Sequence, residues 1–234
     1  MNKTVKFSIS LILAIIIVGG LSFYFYNEFY LAKQQTDPQK LAKEISTFKY
    51  IKSDITPEVK DKIGQSFNKA AQIYLADPTS VGSYWPLIDI GNLKQQVSDY
   101  TGAEQAWLAA AKIQPQAYPP FLNLGNLYFH FIKDFAKAEQ AYLTVIKNKP
   151  EEITAYSDLY QIYRYFYKQD SGLAEKILLQ GIENNPKEVG LMEDLIGYYK
   201  SINDNAKAID WCNKILAIDP QNDYAKKKLV ELQK

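Results

Sequence analysis

His130, Cys212 and Arg164 are the only imidazole, thiol and guanidinium in the chain. Nucleophilic catalysis needs a base held against the nucleophile, and one histidine with one cysteine is a thin basis for it. A metal centre needs several nitrogen, sulfur or oxygen ligands, which a single His cannot seed. No glycine-rich phosphate loop occurs. The acidic pairs Glu151-Glu152 and Glu193-Asp194 read as helix starts, where carboxylates complement the helix dipole. A buried carboxylate pair for acid–base work is the remaining enzymatic alternative. We therefore expect no enzyme, no cofactor and no metal. The richest local chemistry lies in "SDLYQIYRYFYK", residues 157–168, where Arg164 sits among five aromatic rings.

Composition narrows the partner. The 234 residues carry 27 basic and 26 acidic side chains, a net charge of +1, and almost every cation is lysine. Bidentate reading of bases and phosphates leans on arginine, so no nucleic-acid partner is expected. A hydrophobic share of 47% beside 23% charged residues is that of a globular chain rather than a disordered one. The single cysteine forms no internal disulfide and says little about compartment.

The amino-terminal part reads differently. After a short basic tail, residues 1–6 with Lys3 and Lys6, the stretch from Phe7 to Tyr26 carries no charge. Twenty helical residues span roughly the 30 Å hydrocarbon core of a bilayer, and Phe23 to Tyr26 form an aromatic girdle. Residues 7–26 are therefore expected to be a transmembrane helix and 27–36 a juxtamembrane linker. The competing reading is a cleaved signal peptide with Gly19 and Gly20 at the cleavage region, but the apolar run continues past them. Lys33, Lys40 and Lys43 nearly balance the positive-inside count. The short basic tail favours a cytoplasmic amino terminus, with the remaining chain outside a bacterial cell membrane.

Five prolines, Pro78, Pro115, Pro150, Pro186 and Pro220, recur every 34 to 37 residues, a period that marks helical solenoids. The first block between them reads Leu87-x2-Ile90-Gly91-x2-Lys94, then Ala103-x3-Trp107, then Pro115. The second reads Phe121-x2-Leu124-Gly125-x2-Tyr128, then Ala138-x3-Tyr142, then Pro150. The third reads Tyr156-x2-Leu159-Tyr160-x2-Tyr163, then Ala174-x3-Leu178, then Pro186. The fourth reads Met192-x2-Leu195-Ile196-x2-Tyr199, then Ala208-x3-Cys212, then Pro220. This pattern resembles the tetratricopeptide repeat (TPR). Alanine to closing proline is 12 residues in all four blocks, and a leucine stands nine residues after each proline, at 87, 124, 159, 195 and 229. Variation in length is confined between the two helices of a block, where an added residue only enlarges a turn.

The resemblance implies an all-α fold, a right-handed α-solenoid of helical hairpins, with four repeats over 79–220 and a capping helix over 221–234. Residues 37–78 read as a helical pair, with a degenerate first repeat as a further reading. Asp37-Pro38 and Thr56-Pro57 are its helix starts. Leu41, Ile45 and Phe48 share one apolar face, and Val59, Ile63, Phe67, Ala70 and Tyr74 the other. Tyr156, Tyr160 and Tyr163 take packing positions and are expected in the core. Tyr160 stands where the earlier blocks have Gly91 and Gly125, so the third block should close less tightly there.

In this family the first helix of each hairpin lines a concave groove. The resemblance places Asn92, Gln95, Asn126, Phe129, His130, Gln161, Arg164, Tyr165 and Lys200 along it. It implies a protein or peptide partner. Amides would bond its backbone, Phe129 and Tyr165 would anchor apolar groups, and Arg164 with Lys200 would favour an acidic side chain. The carboxylate clamp used by some members is incomplete: Asn92 and Asn123 fill its asparagine places, but Ile88, Thr154 and Asp158 occupy the cationic ones. The expected role is a membrane-anchored scaffold, held in the bilayer through residues 7–26, in a bacterial envelope, secretion or assembly complex. Two alternatives stay open: a partner on the convex side or the turns, and a structural spacer that self-associates as a homo-oligomer.

Overall fold

A computed structural model describes residues 38–51 and 54–233. The expected membrane run, its basic tail and its linker lie outside them, as does Asp37. Among the described residues no helix is long and apolar enough to cross a membrane, and all regular structure is helical. The chain divides into two units after Glu44, and helix α1 (Pro38–Ile45) ends at that division. It stops short of Phe48, whose ring lies 4.3 Å from that of Phe67.

Helix α2 (Pro57–Ala76) begins at the expected place: Thr56 caps it by accepting from the Val59 amide at 3.4 Å, with Pro57 in the first turn. Ile63, Phe67, Ala70 and Tyr74 are buried, whereas Val59 is exposed. Four hairpins follow among the described residues. They pair α3 (Tyr84–Gln96) with α4 (Tyr100–Ile113), and α5 (Pro119–Asn126) with α6 (Phe135–Asn148). Then come α7 (Ile153–Gln161) with α8 (Leu173–Asn184), and α9 (Val189–Ser201) with α10 (Asn205–Ile218). Helix α11 (Asp223–Leu232) closes the array against α10. Each element packs mainly on its neighbours in sequence, the economy of a one-dimensional stack.

Local chemistry sets these boundaries. Helices α2, α4, α6, α8 and α10 each end two residues before one of the five prolines, which can offer no amide to extend the helix. Between the paired helices the chain turns through a left-handed residue: Ser98, Lys133, Lys168 and Asn203 all have φ near +60°. In hairpins one, two and four the next residue is an aspartate that caps the second helix. Asp99 accepts from Gly102 N, Asp134 from Lys137 N and Asp204 from Lys207 N, at 3.0–3.1 Å. Hairpin three has Gly172, φ +73°, at that cap instead.

The added residues of hairpins two and three do more than lengthen a turn. Helix α5 runs on into a widened π turn, Leu127–Ile132, and α7 into another, Ile162–Phe166. The extra backbone is absorbed inside the first helix, which rotates its last side chains.

Within hairpins, close approach requires small residues. Ala103, Ala138, Ala174 and Ala208 are almost fully buried. A methyl group built on Gly91 would lie 2.3 Å from Nε1 of Trp107, and one on Gly125 2.6 Å from the Tyr142 ring. Hairpins three and four exchange this bulk across the pair. Tyr160 and Ile196 take the glycine position, Leu178 and Cys212 the aromatic one, and all are buried. The third hairpin compensates for Tyr160 with a smaller partner.

Successive hairpins are joined by a recurring polar contact. The residue after Ala103, Ala138 and Ala174 is a glutamate, and it accepts from a tyrosine of the next hairpin. Tyr128 bonds Glu104 at 2.6 Å, Tyr163 bonds Glu139 at 2.7 Å and Tyr199 bonds Glu175 at 2.6 Å. A lysine of the later hairpin completes each set: Lys137 on Glu104 at 3.2 Å, Lys168 on Glu139 at 2.7 Å and Lys207 on Glu175 at 3.3 Å. Burial, reinforced by the glutamate, pushes the Tyr163 and Tyr199 hydroxyls well above the usual phenol range, so they stay protonated and donate to the carboxylates. At the α2–α3 junction the types exchange. Phe67 holds the glutamate position and Lys94 the tyrosine position, with its ammonium 5.7 Å over the ring. Lys94, 2% exposed, also donates to the Thr47 carbonyl and to Asp99. Helix α2 thus meets α3 as each second helix meets the following hairpin.

Glu139 is the most buried of the three glutamates. Glu139→Ala should lower unfolding stability by about 1.5–3 kcal/mol, the range for hydrogen bonds to charged groups. Glu58→Ala on exposed α2 should be nearly neutral by comparison, at about 0–1 kcal/mol. Urea titrations of the two variants make the comparison.

Candidate functional site

The first helices α3, α5, α7 and α9 present one face to a continuous set of polar contacts that crosses hairpin boundaries. Asn123 donates to Asn92 at 3.2 Å. Tyr142 sits within 2.7 Å of the Asn126 amide oxygen and donates to Asp158 at 2.6 Å. His130 Nε2 lies 3.7 Å from the same carboxylate. Arg164 donates to the Ser201 hydroxyl at 2.6 Å, with its guanidinium 5.4 Å over the Tyr198 ring and 5.9 Å over that of Tyr165. Lys200 pairs with Glu231 of α11 at 3.1 Å, and Lys228 binds the same carboxylate at 2.9 Å. These two lysines hold the Glu231 carboxyl down at about 2.

The nine expected groove residues divide accordingly. Asn92, Asn126, His130, Arg164 and Lys200 join this contact set. Gln95 is half-buried, and Gln161 and Tyr165 are exposed. Phe129 is only 4% exposed, packed against the rings of Phe135 at 6.2 Å and Phe166 at 5.8 Å. Its ring supports the neighbouring hairpin rather than offering a surface. Lys200 is likewise engaged by Glu231 instead of standing ready for a partner's carboxylate.

The face is wider than the nine expected residues, taking in Asn123 and Asp158 of the incomplete clamp. Two positions before each glycine place stand Asp89, Asn123, Asp158 and Asp194, a column visible at constant offset. Asp158 is buried, and its hydrogen bond to Tyr142 ties α6 to α7. Glu193 and Asp194 do not stand at a helix start: they fall in the second turn of α9, where the dipole offers little. Burial, and then Glu193, raise the Asp194 carboxyl, and burial raises that of Asp89. Asp89 borders a cleft of roughly 420 Å³ between α2 and α3, together with Lys69, Ile73 and Asn92. Cys212 is fully buried, and burial pushes its thiol up. Among the described residues no group of three His, Cys, Asp or Glu side chains converges as a metal site would require.

No model of a known protein family matches the chain, and no curated protein matches it in sequence. Solved structures do match. YrrB, described as a TPR protein with an unusual peptide-binding site, is 14% identical over 70% of this chain and 81% of its own, with a TM-score of 0.52. The MamA protein is 23% identical over 64% of this chain and 80% of its own, with a TM-score of 0.50. MamA from Desulfovibrio magneticus RS-1, from residue 41 to its end, is 17% identical over 80% and 98%, with a TM-score of 0.50. At these identities the likeness establishes the architecture alone: an all-α helical repeat of the TPR solenoid type.

Two outcomes test the electrostatics and packing of the face. A carboxyl raised in the folded state is stabilising while protonated, and that contribution is lost as pH rises through its folded value. Asp194→Asn should therefore raise the melting temperature at pH 7, with the difference disappearing below about pH 3, under the ordinary carboxylate range. Phe129→Ala should cost about 3–5 kcal/mol as a core truncation. Thermal and urea unfolding at the two pH values read both.

Proposed function

We propose that the chain is a non-catalytic TPR scaffold that holds a protein or peptide segment on its first-helix face. Residues 7–26 would anchor it in a bacterial cell membrane, with the short basic tail inside and the repeats outside, as an ancillary subunit of an envelope, secretion or assembly complex. The observation that carries the binding role is the condition of the face. The first helices of successive hairpins carry amides and carboxylates in contact across hairpin boundaries. Gln161 and Tyr165, on the same helices, are exposed. The peptide-binding site of YrrB supports this class of partner for a fold of the same kind. The membrane reading rests on the uncharged run from Phe7 to Tyr26.

The test starts from peptides selected against the full-length chain in mild detergent from a random displayed library. Gln161→Arg with Tyr165→Ala alters two exposed side chains and should weaken the selected peptides at least tenfold while leaving the melting transition in place. Peptides that bind the double variant as well as the parent would place the partner elsewhere. A tight dimer by analytical ultracentrifugation, with no peptide recovered, would make the array a self-associating spacer. Membrane anchoring has its own readout: the chain should resist alkaline carbonate extraction and keep its first residues.

A further inference from the structure

The two π turns carry exposed apolar side chains in hairpins two and three. Phe131 is 47% exposed, Ile132 41%, Tyr165 57% and Phe166 51%. Of these, Tyr165 and Phe166 belong to one contiguous group of rings with Phe129 and Phe135. Phe166 stacks on Phe135 at 5.0 Å and meets Phe129, beneath it, at 5.8 Å and Tyr165 at 6.4 Å. Phe131 packs 5.1 Å from Tyr100 of the preceding hairpin. Contiguous exposed apolar surface of this kind marks an interaction site more often than single exposed side chains do, and π turns recur at functional positions.

The ridge has a cation at each end. The Lys133 ammonium lies 5.9 Å over the Phe129 ring, and the Arg164 guanidinium 5.9 Å over that of Tyr165. Among the described residues neither is paired with a carboxylate, which sets them apart from their neighbours. Lys137 is bound to Glu104 and Lys168 to Glu139, and Lys200 to Glu231. Arg164 spends one nitrogen on Ser201 and keeps other donors.

From this arrangement we infer that the ridge between Lys133 and Arg164 docks a short acidic–apolar segment of a partner protein. Its apolar side chains would lie on Phe166 and Tyr165, with a carboxylate at each cation. The inference rests on the peptide-binding reading above and names the class of segment. Charge complementarity selects this occupant. An anionic bilayer surface would be favoured by several free cations around the rings, and here Lys137 and Lys168 are neutralised within the fold. An acidic segment gains two charge-assisted contacts beside aromatic surface, and arginine with aromatic side chains is the usual composition of an interface hot spot.

The probe is a fluorescein-labelled peptide of sequence Glu-Phe-Leu-Phe-Glu, titrated by fluorescence anisotropy with the full-length chain in mild detergent. Lys-Phe-Leu-Phe-Lys and Glu-Gly-Ser-Gly-Glu serve as controls. The acidic–apolar peptide should bind at least tenfold more tightly than either control. Lys133→Glu with Arg164→Glu should weaken it at least tenfold and should reverse the preference, so that the lysine peptide binds the variant better than the parent. Phe166→Ser should weaken binding with both charges in place. Equal binding of the acidic peptide to parent and charge-reversed chain overturns the proposal, as does a parent that does not discriminate the three peptides. Anionic vesicles of phosphatidylserine and phosphatidylcholine that bind while the peptide does not also overturn it, in favour of a lipid surface. If library peptides lose affinity on Gln161→Arg but not on Lys133→Glu with Arg164→Glu, the ridge proposal fails while the scaffold reading stands. If no peptide binds at all, both fail.

Discussion

A glutamate between two hairpins cannot stay poorly solvated without donors, and the stack depends on how that demand is met. Glu104, Glu139 and Glu175 each receive a phenol and an ammonium from the following hairpin. Apolar packing between helices is tolerant of small slides, because dispersion and burial have little direction. A carboxylate that must meet two donors is not tolerant, since a displaced hairpin would leave a half-buried charge unpaired. The contact therefore sets the register of one hairpin on the next, while the alanines and glycines set how closely the helices approach. At the first junction, Lys94 over Phe67 does the same task with the chemical types exchanged. After Ala208 the place is taken by Ile209.

The face that would meet a partner is built from the same repeat but answers a different demand. Apart from buried Asp158 its side chains at Asn92, Asn126, His130 and Arg164 are exposed or half-buried, so a single hydrogen bond often suffices and the rest of their capacity is left for water or ligand. Arg164 shows the consequence. Its bond to Ser201 and its rings hold the guanidinium in place without consuming it, which is the preorganised state that lowers the entropy lost on binding. Lys200, tied to Glu231, illustrates the opposite case: a cation on the same face that has already found its carboxylate.

The hairpins that depart most from the regular pattern are the ones that carry the exposed rings. One added residue in the second hairpin and two in the third could have formed longer loops. Instead they enter the ends of α5 and α7 as π turns, because a helical residue keeps its backbone hydrogen bonded whereas a loop must seek other partners. The price falls on side-chain direction. Phe131 and Phe166 leave the buried stripe and reach the edge of the array.

Much of this architecture was legible in the residues. Constant intervals from alanine to proline and from proline to leucine determined the helices, their pairing and the end of each second helix, because proline cannot donate an amide and a small residue is needed wherever two helices touch. The Asp caps and the Glu–Tyr sets follow the same period and could have been read from it. Other features were not local. Phe129 sits at a position that faces the groove in a regular repeat, yet within the π turn it is buried against the stacked rings of Phe135 and Phe166. Lys200 lost its expected freedom to a residue 31 positions away on α11. The sequence by itself determined which elements form and in what order they stack, since those depend on neighbours within one repeat. Only the tertiary structure decided which charges are spent and which rings are exposed, since that depends on the residues that adjoining hairpins bring to the same place.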